Sequence, residues 1–201
     1  MNTSGQTQQN KTGTDFLSKV GEFNKVAGNL QYTPTTVPIE IYKLRESLIY
    51  EEYQELLEGI ASGDKVEQLD ALADLLYVIY GFIWVKNEPM IFFNGPKEIR
   101  KEVIIDMSAH LCLRLKATLV AANDLNLFTQ LEEAFNRVHE SNMSKFCKTE
   151  LEAGETVYHY KLKGIYTYYK KVDDLYVVLR VEDNKVLKSI NYTPVDLKDL
   201  V

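Results

Sequence analysis

Asp74 stands inside the most apolar run of the chain, and that placement constrains the fold more than any other feature. Residues 71–85 read ALADLLYVIYGFIWV, with apolar side chains on every side of a helix. An unpaired carboxylate in such a setting costs several kcal/mol, so a buried Asp must be paired, protonated or bound to a cation. No Lys or Arg lies within a helical turn of it. The run spans 15 residues, short of the ~20 that a membrane helix requires, and predicts a buried core helix.

The flanking sequence predicts what that helix packs against. Asp15 to about Asn29 carries Phe16, Val20, Phe23 and Ala27 at helical spacing. A second helix is predicted from about Glu40 to Ala61, with Leu44, Leu48, Glu52, Glu55 and Gly59 on one face. Ser62-Gly63-Asp64 interrupts it. Asp64 suits the N-cap of a third helix that continues to about Lys86, with Glu67 placed for a capping box. So short a connection makes helices two and three an antiparallel hairpin. Residues 87–96 read as a loop, about 97–122 as a fourth amphipathic helix with Ile99, Val103, Ile104 and Met107 among its apolar positions, and about 127–145 as a fifth. Beyond Glu155 the runs VYHYKLKG, IYTYYKK, LYVVLRV and KVLKSI are rich in Tyr and Val, and Asp173-Asp174 and Asp183-Asn184 read as tight turns between strands. The expected fold is mainly α: a helical bundle built on an antiparallel helix hairpin, with a small C-terminal antiparallel β meander of three or four strands. The expected organisation is a disordered tail over 1–14, a helical domain over 15–147 and a β-rich extension over 148–201.

The tail, MNTSGQTQQNKTGT, has no apolar core and reads as neither signal peptide nor membrane anchor. Net charge is −6 without a basic stripe, which argues against duplex nucleic acid as a partner. Cys112 and Cys147 form no CxxC pattern, and reduced thiols in a cytoplasmic protein are expected.

The chemistry-bearing residues are acidic. In Glu51-Glu52-Tyr53-Gln54-Glu55, helical spacing sets Glu52 beside Glu55 and Glu51 beside Glu55. Taken alone, such a cluster reads as a solvated acidic face. Asp70 and Asp74, at i and i+4 on the next helix, change that reading. Across the hairpin Glu52 and Glu55 can face Asp70 and Asp74, and four carboxylates on rigid helices suit Mg²⁺, or Mn²⁺. The alternative is that Asp74 bonds a backbone group.

At this point a resemblance emerges. Arg45-x-x-Leu48-Ile49-x-Glu51-Glu52-x-x-Glu55-Leu56, followed by Asp70-Ala-Leu-Ala-Asp74-Leu-Leu-Tyr77 and Gly81, resembles the all-α nucleoside triphosphate pyrophosphohydrolase superfamily. That superfamily includes MazG-like enzymes, dimeric dUTPases and phosphoribosyl-ATP pyrophosphatase. Ser141-Asn142-Met143-Ser144-Lys145-Phe146 resembles the segment that closes the pocket in many members. Asn184-Lys185-Val-Leu-Lys188-Ser189 with Tyr192-x-Pro194 resembles their C-terminal tail. The resemblance implies Glu52, Glu55 and Asp74 as metal ligands, with Glu51 a further ligand or the group that orients the attacking water. It also implies hydrolysis of a nucleoside or deoxynucleoside triphosphate to monophosphate and pyrophosphate. A single helical hairpin exposes too much apolar surface to stand alone, so a homodimer or homotetramer is expected.

One departure is that the Glu of the usual ExxD would stand at Ala71. Asp70 could reach the same ion, or Glu67-Gln-Leu-Asp70 could itself be the ExxD. Another is the stretch of roughly 85–125, longer than compact relatives need. Arg45, Lys145 and Lys188 are candidate donors to phosphate, and Asn142 either reads base or ribose or caps its helix. His110, His139 and His159 lack ligand spacing and receive no role. The competing readings are a phosphoribosyl-ATP pyrophosphatase or dUTPase, a non-catalytic helical interaction protein (favoured by Ala71), and a single-strand binder using the C-terminal Tyr/Lys runs.

Overall fold

A computed structural model of the chain describes residues 12–87 and 109–201. The tail over 1–11, most of the 87–96 loop and the first half of the predicted fourth helix, with Ile99, Val103, Ile104 and Met107, lie outside the described residues. The described helices are α1 (Thr12–Ala27), α2 (Ile39–Ser62), α3 (Lys65–Val85), α4 (Ala109–Asp124), α5 (Leu131–Met143) and α6 (Glu150–Leu162). Strands β1 (Thr167–Val172) and β2 (Leu175–Arg180) form an antiparallel ribbon, and a 3-10 turn spans Lys198–Leu200.

α3 is the axle of the bundle. By length and composition it could cross a membrane, but α1, α2, α4 and α5 all pack against it. Leu69, Leu72, Ile79, Phe82 and Ile83 are completely buried in that packing. Phe16 of α1 stacks on Phe135 of α5 at 4.0 Å, beside α3. The apolar run is thus explained by neighbours on every side, as expected of a core helix.

The α2–α3 connection is as tight as the sequence predicts. Gly63 adopts φ +72 and donates its N–H back to α2, and the Asp64 carboxylate accepts from the N–H groups of Val66 and Glu67. The two helices touch closely at Gly59, where a Cβ would lie 3.1 Å from the backbone N of Gln68. The Gln68 side chain donates to the Gly59 carbonyl at 2.9 Å. At the far end a Cβ on Gly81 would lie 3.1 Å from the Arg45 guanidinium. Between these two anchors the helices are held in antiparallel register.

The C-terminal part is a correction to the strand count. The run VYHYKLKG, expected to be a strand within a β-rich extension, belongs to α6. Thr149 caps that helix by accepting from the N–H of Glu152, and Glu152 reaches back to accept from the N–H of Lys148, a reciprocal cap that outweighs the β propensity of the tyrosines. Likewise KVLKSI forms no strand of its own; Val186 makes one isolated bridge to Leu179. The ribbon that remains turns at Asp173, as predicted, with φ +50. Val177 and Leu179 of β2 pack with Val26 and Phe146, while Val178 points the other way onto Cys147 and Ala153. The chain end then returns to the bundle, where Leu197 is buried in the main core.

Gly59→Ala is expected to push α2 from α3 and to destabilise the protein by about 1–3 kcal/mol, read as a lower denaturation midpoint at unchanged slope.

Candidate active site

The register of the hairpin decides which acids meet. Glu52 lies midway between Gly59 and Arg45 on α2, and Asp74 lies midway between Gln68 and Gly81 on α3. They therefore face each other across the seam, with Glu55 and Asp70 one turn nearer the hairpin bend. Glu52, Asp70 and Asp74 are half-buried, while Glu51 and Glu55 reach solvent.

The electrostatics follow from this crowding. Burial raises the Glu52 carboxyl to about 8, reinforced by Asp74, Glu55, Asp70 and Glu51. Burial likewise raises Asp74 to about 7, with Asp70 and Glu55 adding to it and Lys145 opposing. Asp70 rises to about 6 through burial, then Glu67 and Glu55. Protein alone thus leaves these acids under-neutralised, and the buried Oδ1 of Asp70 has no hydrogen-bond partner. Acceptor-only oxygens that lack donors are the chemistry a hard divalent cation takes. Among the described residues, however, no three Asp, Glu, His or Cys side chains are gathered into a closed ligand set. The seam offers ligands for Mg²⁺ by chemistry and placement, in an open arrangement.

Ala71, at the position of the family Glu, points into the core and is 3 % exposed. Asp70 is the acid that stands by Asp74 and Glu55.

The basic candidates divide. Lys145, just past α5, is brought to the acids and is the cation that the sequence around Asp74 lacks. It donates to Asn142 Oδ1 at 2.5 Å and lies over the Phe23 ring at 5.8 Å. Burial lowers its pKa, Asp74 and Glu52 oppose that, and Lys188 and Lys185 reinforce it. Asn142, Lys145 and Lys188 thus come together. Arg45 stands apart, roughly 10 Å along α2 from Glu52 by helical rise. It is buried, bonds Asn24 Oδ1 at 2.9 Å, and burial lowers its pKa to about 10. It ties α1 to the hairpin.

A second layer went unread in the sequence. The Tyr77 hydroxyl, one turn past Asp74, hydrogen-bonds His139 Nδ1 at 3.2 Å, and His139 Nε2 lies 3.6 Å from Glu22. No ligand-type spacing links these three positions; they meet because α1 and α5 both pack on α3.

A helical bundle with an acidic seam is what the sequence resemblance implies, and the comparisons point to the same family. The phosphoribosyl-ATP pyrophosphohydrolase family profile matches residues 20–87, from the middle of α1 through α3. The uncharacterized protein L479 of Acanthamoeba polyphaga mimivirus is 31 % identical over 235 aligned positions, covering 90 % of this chain and 94 % of its own length. No solved structure matches at a significant level. The chain belongs to the all-α nucleoside triphosphate pyrophosphohydrolase superfamily.

The raised acids make a signed prediction. Their contribution to stability is complete below the ordinary carboxyl pKa of about 4 and is lost as pH rises through the folded values of about 6 to 8, because the unfolded chain ionises first. Without divalent ions the melting temperature should therefore fall more steeply over that window in the wild type than in Asp74→Asn. Equal slopes in thermal melts with chelator would contradict this.

Proposed function

We propose that this protein hydrolyses nucleoside or deoxynucleoside triphosphates to monophosphate and pyrophosphate, with Mg²⁺ held by Glu52, Glu55, Asp70 and Asp74. The observation that carries this reading is the facing of Glu52 and Asp74 across a close-packed seam, with the Lys145 ammonium brought to both. Membership of a generally Mg²⁺-dependent superfamily supports it.

When bound, Mg²⁺ supplies neutralisation of phosphoryl charge and activation of water. The chain's own groups do the rest. Lys145 and Lys188 donate to phosphate oxygens, and Asn142 orients Lys145. Glu51, exposed at the edge of the cluster, positions the attacking water or takes its proton. Attack at the α-phosphorus breaks the bond to the bridging oxygen, and pyrophosphate leaves with that oxygen. Phosphoryl transfer needs mainly such positioning and electrostatic stabilisation.

The profile match favours one second reading, phosphoribosyl-ATP as substrate. Pyrophosphate release from a panel of nucleotides that includes phosphoribosyl-ATP and dUTP separates the two.

We further propose a homodimer or homotetramer assembled on α2. Tyr50, Tyr53, Leu57 and Ile60 form an exposed apolar stripe along it, and Leu113 and Val120 are exposed on α4. A cleft of about 590 Å³ between α2, α3 and α4 adjoins the stripe. Tyr53→Glu should shift the sedimentation coefficient toward that of a monomer; an unshifted oligomer would place the contact elsewhere.

Glu52→Gln and Asp74→Asn should each lower Mg²⁺-dependent pyrophosphate release about a hundredfold or more while far-ultraviolet circular dichroism stays helical. Mg²⁺ or Mn²⁺ should raise the melting temperature of the wild type and not of these variants. Undiminished turnover in both would remove the carboxylates from the reaction.

A further inference from the structure

α6 carries Glu152, Thr156 and Tyr160 at four-residue spacing, stacked along one side of the helix. These three side chains grip three consecutive residues of the returning chain. The Tyr160 hydroxyl donates to the Lys188 carbonyl at 3.0 Å, the Ser189 hydroxyl donates to the Glu152 carboxylate, and the Ile190 N–H donates to Thr156 Oγ at 3.2 Å. Residues 187–193 lie in no helix or strand, so their backbone groups need partners elsewhere, and α6 provides those of the Lys188 carbonyl and the Ile190 N–H. Glu152, Thr156 and Ser189 are all buried. The network closes on itself: Thr156 Oγ donates to the Glu152 carbonyl at 2.8 Å, and Ser189 Oγ accepts from the Asn191 N–H at 3.0 Å.

The other side of the same segment is fastened to the loop that carries Lys145. The Ser189 N–H donates to the Lys145 carbonyl at 3.1 Å, Ser141 Oγ donates to the Tyr192 hydroxyl at 3.1 Å, and the Thr193 N–H donates to Ser144 Oγ at 2.9 Å. Lys188 is thereby set beside Lys145, its ammonium 4.2 Å from the centre of the Tyr192 ring. Two ammonium groups held together on the rim of an acidic seam suit an anion that reaches past the acids, as a polyphosphate does.

We infer that Glu152, with Thr156 and Tyr160, forms a positioning stripe: it holds residues 188–190 so that Lys188 meets the substrate's polyphosphate beside Lys145. This rests on the pyrophosphohydrolase reading above. None of the three is assigned contact with substrate.

The test is calorimetric binding of inorganic tripolyphosphate with Mg²⁺ to the full-length protein as wild type, E152A, E152Q, K188A and E152A/K188A. E152A and K188A should each weaken binding about tenfold, and the double variant should be no weaker than K188A, because the acid acts through that lysine. E152Q, whose amide oxygen can accept from the Lys148 N–H while its NH2 donates to Ser189 Oγ, should recover most of the loss. Tyr160→Phe removes one exposed anchoring bond without disturbing the core. It should weaken binding two- to threefold, and only when Lys188 is present, which keeps the inference testable if E152A does not fold. Losses that multiply, wild-type affinity in Tyr160→Phe, or a reduced bound fraction at unchanged affinity would each overturn it. Wild-type protein that binds no tripolyphosphate would overturn the pyrophosphohydrolase reading as well, whereas wild-type binding with multiplying losses would sink the positioning stripe alone.

Discussion

Four carboxylates share one helix–helix seam, and the architecture keeps them from moving apart. Like charges at this spacing repel, and half-burial makes Glu52, Asp70 and Asp74 more costly to ionise. A flexible chain would relax by turning the acids outward. Here α2 and α3 are joined through Gly63 and Asp64 alone, and they touch backbone to backbone at Gly59 and Gln68. The penalty is visible in three acids raised toward neutral pH and in the unpartnered Oδ1 of Asp70. Burial and like-charge neighbours are the two means by which active sites tune carboxyl pKa values.

The other elements hold that frame in place. α1 closes one end by presenting Asn24 to Arg45, and its Phe16 packs with Phe135 of α5. α5 ends in the turn that carries Lys145 to Asp74, and Asn142 in its last turn accepts from that lysine. α6 and the β ribbon lie outside the bundle, yet they fix the course of residues 185–193, which bring a second lysine to the same rim. The chain then anchors itself with Leu197 in the main core and with Arg137 paired to Asp199.

Legibility in the sequence varied with the range of the interaction. The ends of α2 and α3 could be read because their signals are local: Asp64 as an N-cap, Gly63 past a helix end. The facing of Glu52 and Asp74 could be read because a two-residue connection leaves one way to pair the helices. α6 resembles a strand locally because Tyr and Val at 157–160 have β propensity, while the determining signal, Thr149 with Glu152, lies upstream of the run. The third strand failed for a different reason. Side chains of α6 and the Lys145 carbonyl take the backbone groups of residues 188–190 that a ladder would use.

By itself the sequence determined the helical hairpin, the burial of its second helix and the acids that line its seam, because each depends on periodicity, caps and a very short connection. Only the tertiary structure decided which cation would face Asp74, that Arg45 would stand apart from the acids, and that a Tyr77–His139–Glu22 chain would lie behind them. Those outcomes depend on contacts between residues some 20 to 120 positions apart, which no local pattern encodes and only the packing of α1, α5 and the returning C-terminal segment brings about.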